Sequence, residues 1–241
     1  MQIQKNDFIE IEFTGKANNE IFDTTNKEEA KSIGIDADVK PVIISVGHEM
    51  LLKGLDENLE GKEIGKKYSV HISPEKGFGK RDSKLMKTIP IKIFHEKKMN
   101  PYPGLTVQMD NYMAKILSVS GGRVIVDFNN PLAGKDIDYS FNVLRKVDND
   151  KEKIEAVQEF FFRQKFEFEI NEKDKKVIFK EEKIKPFLEV FKNKFKEMTG
   201  FEFEVVEQSK SNEEKDKKEE TKIKSSEKVE HIHTAECNHE H

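Results

Sequence analysis

The chain of 241 residues has a single cysteine, Cys237, and no apolar run that approaches the length needed to cross a bilayer. A lone cysteine cannot form an intramolecular disulfide, so a disulfide-stapled fold is excluded. The first ten residues also lack the basic start and apolar stretch of a secretory signal. We therefore expect a cytoplasmic protein with no membrane partner.

A surface dominated by one sign of charge is also missing. The 42 Lys and Arg residues nearly balance the 46 Asp and Glu residues, and the two signs are interspersed. Nucleic-acid binding needs a concentrated basic face. Nucleic acid is therefore not expected as a partner.

Alternating apolar residues predict several short strands around one short helix in the first part of the chain. Phe8, Ile11 and Phe13 fit one strand, and "IFDTT" ends a second. A loop rich in Lys, Glu and Asp then leads to "KPVIISVG". Apolar residues recur at helical spacing from Glu49 to Glu60, and Gly61 is predicted to end that helix. This pattern favours an α+β fold built on an antiparallel sheet.

The residue pattern of the sequence changes after Leu85. Four short runs typical of strands follow, "KTIPIKIF", "LTVQM", "AKILSV" and "RVIVDF". Gly121 and Gly122 separate the last two runs and predict a tight hairpin turn. An all-strand unit of this size is marginally stable by itself, so we expect contacts with its host domain to stabilise it.

The remaining chain begins with a further strand, in which apolar residues alternate over residues 137–143. Asn149 followed by Glu152 predicts a helix N-cap. Residues 150–208 then have the pattern helix, strand, strand, helix, strand. From Ser209 to Glu230 the residues are almost all polar or charged, and such a composition predicts a disordered linker.

Several separated motifs occur in the order found in one family. The segments "IEFTG", "FDTT", "KPVIISVGHEMLLKGLDENLEGKEIGKKYSVHISPEKGFGKRD" and "NPLAGKDIDYSFNVLRKV" resemble FKBP-type peptidyl-prolyl isomerases. The similarity is greatest to the SlyD-like branch, including its long archaeal forms, in which a second small domain interrupts the flap.

The resemblance implies a particular division of the chain. An FKBP-like antiparallel sheet wrapped on a short helix would be formed by residues 1–85 and 131–147, with an inserted all-β chaperone domain at residues 86–130. A C-terminal α/β domain at residues 148–208 would follow, and then a charged linker with a His-rich tail at residues 209–241.

The resemblance also implies a hydrophobic pocket for the proline of an X-Pro bond. Its members are Phe13, Phe22, Asp23, Val42, Leu51, Leu52, Leu55, Phe78 and Phe141. Leu55 stands where single-domain relatives have a Trp at the pocket floor, and Phe78 stands where they have a Tyr hydroxyl on the flap loop. The first departure should widen the pocket, and the second removes a hydrogen-bond donor. The implied catalysis requires no cofactor.

Each of these residues also has a purely structural interpretation. A ring on the glycine-flanked loop "GFG", where Phe78 stands, either plugs a core or contacts a ligand. Asp23 follows a strand, where a carboxylate often serves a turn or cap. Phe13 and Phe22 on strands also fit an ordinary core.

Four of the seven histidines and the only cysteine lie in the last eleven residues. Such donors suit a divalent ion such as nickel or zinc, and a metal site is predicted there. Its ligands would be His231, His233, Cys237, His239 and His241. A merely solvated tail is the alternative. The remaining histidines are assigned no ligand role, with His48 as a helix cap and His71 and His95 as surface residues.

Phenylalanine is concentrated in residues 148–208, which hold eleven of the eighteen in the chain. The first predicted helix of this region turns one apolar stripe towards a core, whereas Phe160 and Phe162 lie off that stripe and should remain unburied. An aromatic face on a small domain predicts a homodimer. Docking of this face onto the isomerase domain of the same chain is the alternative.

The sequence therefore predicts a peptidyl-prolyl cis-trans isomerase and folding chaperone that acts on unfolded polypeptides containing X-Pro. The insert has more apolar residues than so small a unit can bury, and this surplus indicates a surface that grips unfolded chains. Two other classes stay open: a non-catalytic holdase and a metal-handling protein on the same scaffold.

Overall fold

The structure is a computed structural model that describes residues 2–35, 39–109, 111–181 and 184–205. The chain divides into two compact units. The first contains Met1–Lys165 and Lys194–Gly200, and the second contains Phe166–Asn193 and Phe201–His241. The predicted boundary at residue 147 thus falls inside the first unit. None of the helices in the described ranges is long and apolar enough to cross a membrane.

Twelve strands and five helices lie in the described ranges. The strands are β1 (Phe8–Ala17), β2 (Glu20–Thr24), β3 (Val42–Ser45), β4 (Lys67–Ile72), β5 (Met86–Pro90), β6 (Thr106–Met109), β7 (Tyr112–Ser120), β8 (Arg123–Asp127), β9 (Ile137–Lys146), β10 (Phe168–Asn171), β11 (Lys176–Phe179) and β12 (Glu202–Val205). The helices are α1 (Lys27–Ser32), α2 (Lys53–Asp56), α3 (Ile91–Glu96), α4 (Asp150–Phe162) and α5 (Lys185–Thr199).

A five-stranded antiparallel sheet forms the body of the first unit. Its order is β2, β1, β9, β4, and β3 pairs with the first half of β1. Alternating side chains of β1 and β9 point to one face, where they meet α2 and the turns around it. The core there includes Ile9, Ile11, Leu55, Leu59, Ile72, Ile137 and Val143. The predicted α+β class with an antiparallel sheet is confirmed.

The helix predicted over residues 49–60 is wrong in length. Only Lys53–Asp56 is helical, because Glu49 has a left-handed φ of 56° that a continuous helix does not allow. The apolar spacing nevertheless identified the buried side, since Leu55 and Leu59 are both buried. Gly61, at φ 78°, ends the turns that follow.

The loop predicted to follow β2 contains α1, a helix that the sequence pattern did not indicate. Asn26 caps it by accepting hydrogen bonds from the Glu28 and Glu29 backbone N–H groups. Only Ala30 is buried in this helix. A helix with one buried residue has no apolar periodicity, so the signal for it was the cap and not the pattern.

The insert is a four-stranded antiparallel sheet in the order β5, β8, β7, β6. The prediction that it is all-β is wrong in one place. "KTIPIKIF" forms β5 and then α3, because the chain turns after Pro90 and buries Phe94 against the sheet. The predicted hairpin turn between β7 and β8 is confirmed, with Gly121 and Gly122 at φ 55° and 74°.

The helix-strand-strand-helix-strand order predicted after residue 149 is confirmed. The Asn149 cap is also confirmed, since its side chain accepts from the Glu152 N–H at 3.1 Å. In the second unit β11 lies between β10, which is antiparallel to it, and β12, which is parallel. The Phe179 ring contacts Phe168 and Phe203 there, both at 5.9 Å between centroids.

Candidate active site

Two phenylalanines on adjacent strands form the base of an aromatic cluster. Phe13 on β1 lies opposite Phe141 on β9 in the sheet register, and the two residues are 7% and 3% exposed. Residues directly opposite on antiparallel strands place their side chains on the same face. Tyr68 of β4 stacks on Phe141 at 5.6 Å between centroids. Three neighbouring strands therefore contribute rings to one face of the sheet.

Tyr139 connects this base to β2. Its ring meets Phe13 edge-on at 5.7 Å and Phe22 at 5.9 Å between centroids. Gly15 makes the contact possible, because a Cβ at this position would lie 2.8 Å from both Phe22 and Tyr139. The rings of Tyr139 and Phe22 therefore pack directly on the β1 backbone.

Asp23 brings a carboxyl group to the edge of these rings. The residue as a whole is exposed, but the protein around its carboxyl removes enough water to raise the pKa of Asp23, against the effect of a hydrogen bond from the Thr24 backbone. Burial, and after it the charge of Asp23, raises the pKa of Tyr139 above its usual range. The Asp23 carboxyl therefore lies near enough to Tyr139 for its charge to act on the phenol.

The floor of the cluster is supplied by α2 and the turn before it. Leu55 is 1% exposed, and Val42, Leu51 and Leu52 pack half-buried against the same core. Gly54 lets α2 lie close to β4, since a Cβ there would come within 2.4 Å of the Ile72 side chain. The close approach of α2 to β4 fixes the position of the Leu55 side chain at the floor of the cluster.

The turn that carries Leu51 and Leu52 is held by a buried carboxylate. Asp56, 4% exposed, accepts hydrogen bonds from the Gly47 N–H at 2.9 Å and the Glu49 N–H at 2.8 Å. A buried carboxylate requires such donors. Asp56 therefore sets the path of the chain into the pocket wall.

Phe78 closes the cluster from the flap side. Its ring meets Phe22 edge-on at 5.7 Å between centroids. Gly79, at φ 79°, reverses the chain immediately after it, and the Gly79 N–H donates to the Pro74 carbonyl at 2.7 Å. The Gly79 carbonyl accepts from the Gly134 N–H at 2.8 Å. The loop is thus tied to the segment that leaves the insert.

A polar neck joins the insert to the five-stranded sheet just beyond this loop. Arg81 pairs with Asp127, and Asn129 exchanges two hydrogen bonds of 2.9 Å with the Asp82 backbone. Burial alone would raise the pKa of Asp127, but donation from Arg81 and Asn129 outweighs it and lowers the pKa. The neck therefore keeps a charged pair at the base of the insert.

The structure brings all nine predicted pocket residues into one region. Phe13, Leu55 and Phe141 belong to the core, and Phe22, Val42, Leu51, Leu52 and Phe78 pack against it, with Asp23 next to Phe22. Phe78 is half-buried and packs against the core cluster, so both interpretations of its ring stay open.

Two aromatic members were not predicted as site residues. Tyr139 and Tyr68 appeared in the sequence only as alternating strand residues, and alternation shows that a side chain is buried without showing what it contacts. The proximity of Tyr139 to Asp23 depends on the pairing of β9 with β1.

The predicted roles of the histidines are partly corrected. His48 is not a helix cap but a buried residue, with Nε2 2.9 Å from Asn6 Oδ1. His71 is on the surface as predicted, where Asp138 raises its pKa by a 2.8 Å hydrogen bond. His95 is exposed on α3. The metal ligands predicted at residues 231–241 lie outside the described residues.

Known families match two parts of this chain. A family model described as FKBP-type peptidyl-prolyl cis-trans isomerase matches residues 1–93. A second model, described as the IF domain of FKBP26, matches residues 87–132.

Curated relatives agree with these matches. The short-type peptidyl-prolyl cis-trans isomerase of Methanocaldococcus jannaschii is 32% identical over 144 residues, which is 58% of this chain and 92% of that protein. SlyD of Haemophilus influenzae, an FKBP-type isomerase, is 28% identical over 118 residues, 48% of this chain and 62% of that protein. The FKBP-type 16 kDa isomerase of Escherichia coli is 26% identical over 146 residues, 59% and 92% of the two chains.

The sheet, the aromatic pocket and these similarities define a peptidyl-prolyl cis-trans isomerase. The chain belongs to the FKBP-type family. Within that family it is SlyD-like, and the resemblance stated from the sequence is confirmed.

Proposed function

We propose that X-Pro bonds rotate in the pocket formed by Phe13, Phe22, Phe78 and Phe141 above the Leu55 floor. The observation that carries this proposal is the ring contact chain from Phe78 through Phe22 and Tyr139 to Phe13, with the Asp23 carboxyl at its edge.

An apolar pocket suffices for this reaction. Resonance gives the C–N bond a rotation barrier of about 18–20 kcal/mol. In the twisted transition state the amide loses that resonance and becomes less polar, so surroundings of low polarity stabilise the transition state more than the planar substrate. No bond to the enzyme forms or breaks.

Asp23 and the turn before α2 supply the polar contacts of the proposed reaction. The Asp23 carboxyl is positioned to act on the polar groups around the rotating carbonyl. Leu52 precedes the first turn of α2, where backbone N–H groups lack helical acceptors. The Leu52 N–H is thus placed to anchor the bound peptide.

A client-binding role for the insert is the second proposal. Tyr102, Tyr112 and Met113 are 57%, 68% and 62% exposed. Tyr112 and Met113 begin β7 beside β6, which forms one edge of the sheet. An edge strand with adjacent apolar side chains can accept an unfolded segment as an added strand, and Met adapts to varied partners.

A refolding assay tests the two roles together. An isomerase accelerates a proline-limited refolding reaction at substoichiometric amounts, whereas a holdase only suppresses aggregation, and only stoichiometrically. Acceleration by the full chain at a small fraction of the substrate concentration is the expected result. Suppression of aggregation without any acceleration would favour the holdase.

The metal site at residues 231–241 stays a proposal, since these residues lie outside the described part of the chain. Calorimetric titration of nickel or zinc into the full chain, and into a chain ending at Glu230, is the test. Equal binding by both would place the metal elsewhere.

A further inference from the structure

A second cleft adjoins the proposed proline pocket and has a volume of about 390 Å³. Its floor includes Phe13, Val42 and Leu51, which also belong to the proline pocket, together with Met50. The cleft and the proposed proline pocket therefore share wall residues. A peptide held in the proline pocket can extend along these shared residues into the cleft.

The opposite wall of the cleft is one face of α4. Glu152, Ala156, Glu159 and Phe160 line it, at the three- and four-residue spacing that places side chains on one helix face. The short side chain of Ala156 leaves space in the middle of this wall, and the half-buried Phe160 ring lies one turn further on. Neither family model extends to α4.

Other residues hold α4 in this position. Ile154 and Val157 are fully buried, and Arg145 of β9 pairs with Glu10 at 2.6 Å and with Glu152 at 2.5 Å. The wall thus stays in place when side chains on its cleft face are changed. Phe160 and Phe162 were predicted to be unburied, and this is corrected: both are half-buried, Phe160 because α4 lies along β3.

The charges around the cleft are largely paired with one another. Glu10 and Glu152 share Arg145, and Lys165 lies 3.4 Å from Glu155 and 3.8 Å from Glu159. Paired charges leave the apolar walls as the part that gains most from a ligand. The cleft therefore suits an apolar side chain, with Lys40 and Arg163 also in its lining.

We infer that this cleft is a specificity subsite for the client chain, which binds a large apolar side chain close to the isomerised proline. The inference rests on the proposed proline pocket. Phe160 and Ala156 are its specificity-determining residues, and α4 gives the isomerase a sequence preference that the residues of the proline pocket alone would not provide.

The test uses short peptides with one proline, in which Phe replaces Gly at each position flanking the X-Pro bond in turn. Catalysed exchange is measured by NMR on the full chain. At one position Phe is expected to raise kcat/KM about tenfold over Gly, near the lower end of what burial of one large apolar side chain provides.

Two variants act on the subsite in different ways. Phe160→Ala removes part of the wall, and Ala156→Phe fills the space. Each should bring the ratio of kcat/KM for the Phe peptide to kcat/KM for the all-Gly peptide, measured within the same variant, close to one. Lys151→Phe is the matched control, since it adds the same ring at an exposed position of α4 outside the cleft, and it should retain the preference.

The outcomes separate this inference from the proposed pocket. If no flanking position prefers Phe, or if both variants keep the preference, the subsite is wrong. If Asp23→Leu and Phe78→Ala both leave activity on the all-Gly peptide unchanged, the proline pocket itself is wrong. Because Ala156→Phe removes no packing, a loss of folding in Phe160→Ala alone still leaves the inference testable.

Discussion

The edge of the Phe78 ring lies against Phe22, with 5.7 Å between the ring centroids and 81° between the ring planes. Phe78 comes from the flap loop and Phe22 from the strand that carries Asp23. The contact therefore closes the pocket between two segments that lie far apart in the sequence, and it makes the geometry of Asp23 dependent on the loop.

Removing either the Asp23 carboxylate or the Phe78 ring should slow catalysis on a short X-Pro peptide. Asp23→Leu removes the only carboxylate among the predicted pocket residues, and we expect a loss of about tenfold or more, equivalent to at least ~1.4 kcal/mol of transition-state stabilisation. Phe78→Ala removes an aromatic contact worth about 0.5–1.5 kcal/mol and should cost about two- to tenfold. NMR exchange spectroscopy measures both.

Glu20→Leu serves as the matched control for Asp23→Leu, because Glu20 is an exposed carboxylate on the same strand. Its activity should equal that of the unchanged protein. Unaltered exchange in both Asp23→Leu and Phe78→Ala would show that the pocket is assigned wrongly.

Changes on the insert should separate client binding from catalysis. Tyr112→Ser together with Met113→Ser removes two exposed apolar side chains beside β6. The rate on an unfolded protein should fall about fivefold or more, which corresponds to about 1 kcal/mol of lost contact energy. The rate on a tetrapeptide should not change.

Substitution is a cleaner test of the insert than its deletion. Replacing residues 86–130 would also remove Asp127 and Asn129, which hold Arg81 and Asp82 at the neck. Lys115→Ser, an exposed change on the same strand, is the control. Equal losses on tetrapeptide and protein substrates in the double variant would mean that these side chains support the fold and do not bind clients.

Asp56→Ala should destabilise the isomerase domain. It leaves the Gly47 and Glu49 N–H groups, which make part-buried hydrogen bonds to Asp56, without their acceptor, at a cost of about 1–3 kcal/mol. Urea unfolding measures this, and activity should fall as well because the turn carries Leu51 and Leu52. Glu57→Ala, the exposed neighbour that pairs only with Lys76, should change stability far less. A loss no greater than that of Glu57→Ala would contradict the structural role of Asp56.

Stability should depend on pH through His48. Burial lowers its pKa from 6.5, and nearby charges act in both directions. Those charges are Glu197, Lys194, Asp56 and Lys5. Since the folded protein holds the His48 proton less tightly than the unfolded chain does, its contribution is complete above pH 6.5 and is lost as the pH falls through the lower folded-state pKa.

Urea unfolding between about pH 5 and 8 tests this. His48→Gln should lose less stability on acidification than the unchanged protein. His71→Gln should show the opposite sign, because Asp138 raises the pKa of His71 and stabilises the folded protein at low pH. Identical pH profiles for His48→Gln and the unchanged protein would rule out the proposed role of His48.

Self-association through residues 148–208 stays a prediction. With Phe160 lining the cleft beside β3, the half-buried Phe162 is the remaining aromatic side chain of the predicted dimer face. Sedimentation of the full chain at micromolar concentration should show a dimer, which Phe162→Glu should weaken. If the full chain and the Phe162→Glu variant are both monomers, the aromatic face is explained by docking within one chain.

The sequence alone determined the antiparallel α+β class and the family, and it supplied most of the residues of the proposed pocket. Strand alternation marked Phe13 and Phe141 as buried, and the order of motifs joined them to Asp23 and Phe78. Strand alternation is a local signal, since it depends on residues close together in the chain, whereas the order of motifs extends over most of the first 147 residues. Local signals failed at α1, which has only one buried residue, and at residues 49–60, where apolar spacing suggested one continuous helix.

Tertiary structure alone decided which buried residues meet. Pairing of β9 with β1 brings Tyr139 to Asp23, the Asp56 carboxylate folds the preceding turn onto itself, and α4 lies along β3 to form the second cleft. Periodicity indicates that a side chain is buried. Which residues it contacts depends on strand register and on the packing of segments that are distant in the sequence. Phe160 illustrates this. It lies off the apolar stripe of α4 and therefore looked exposed, but its side of the helix faces β3.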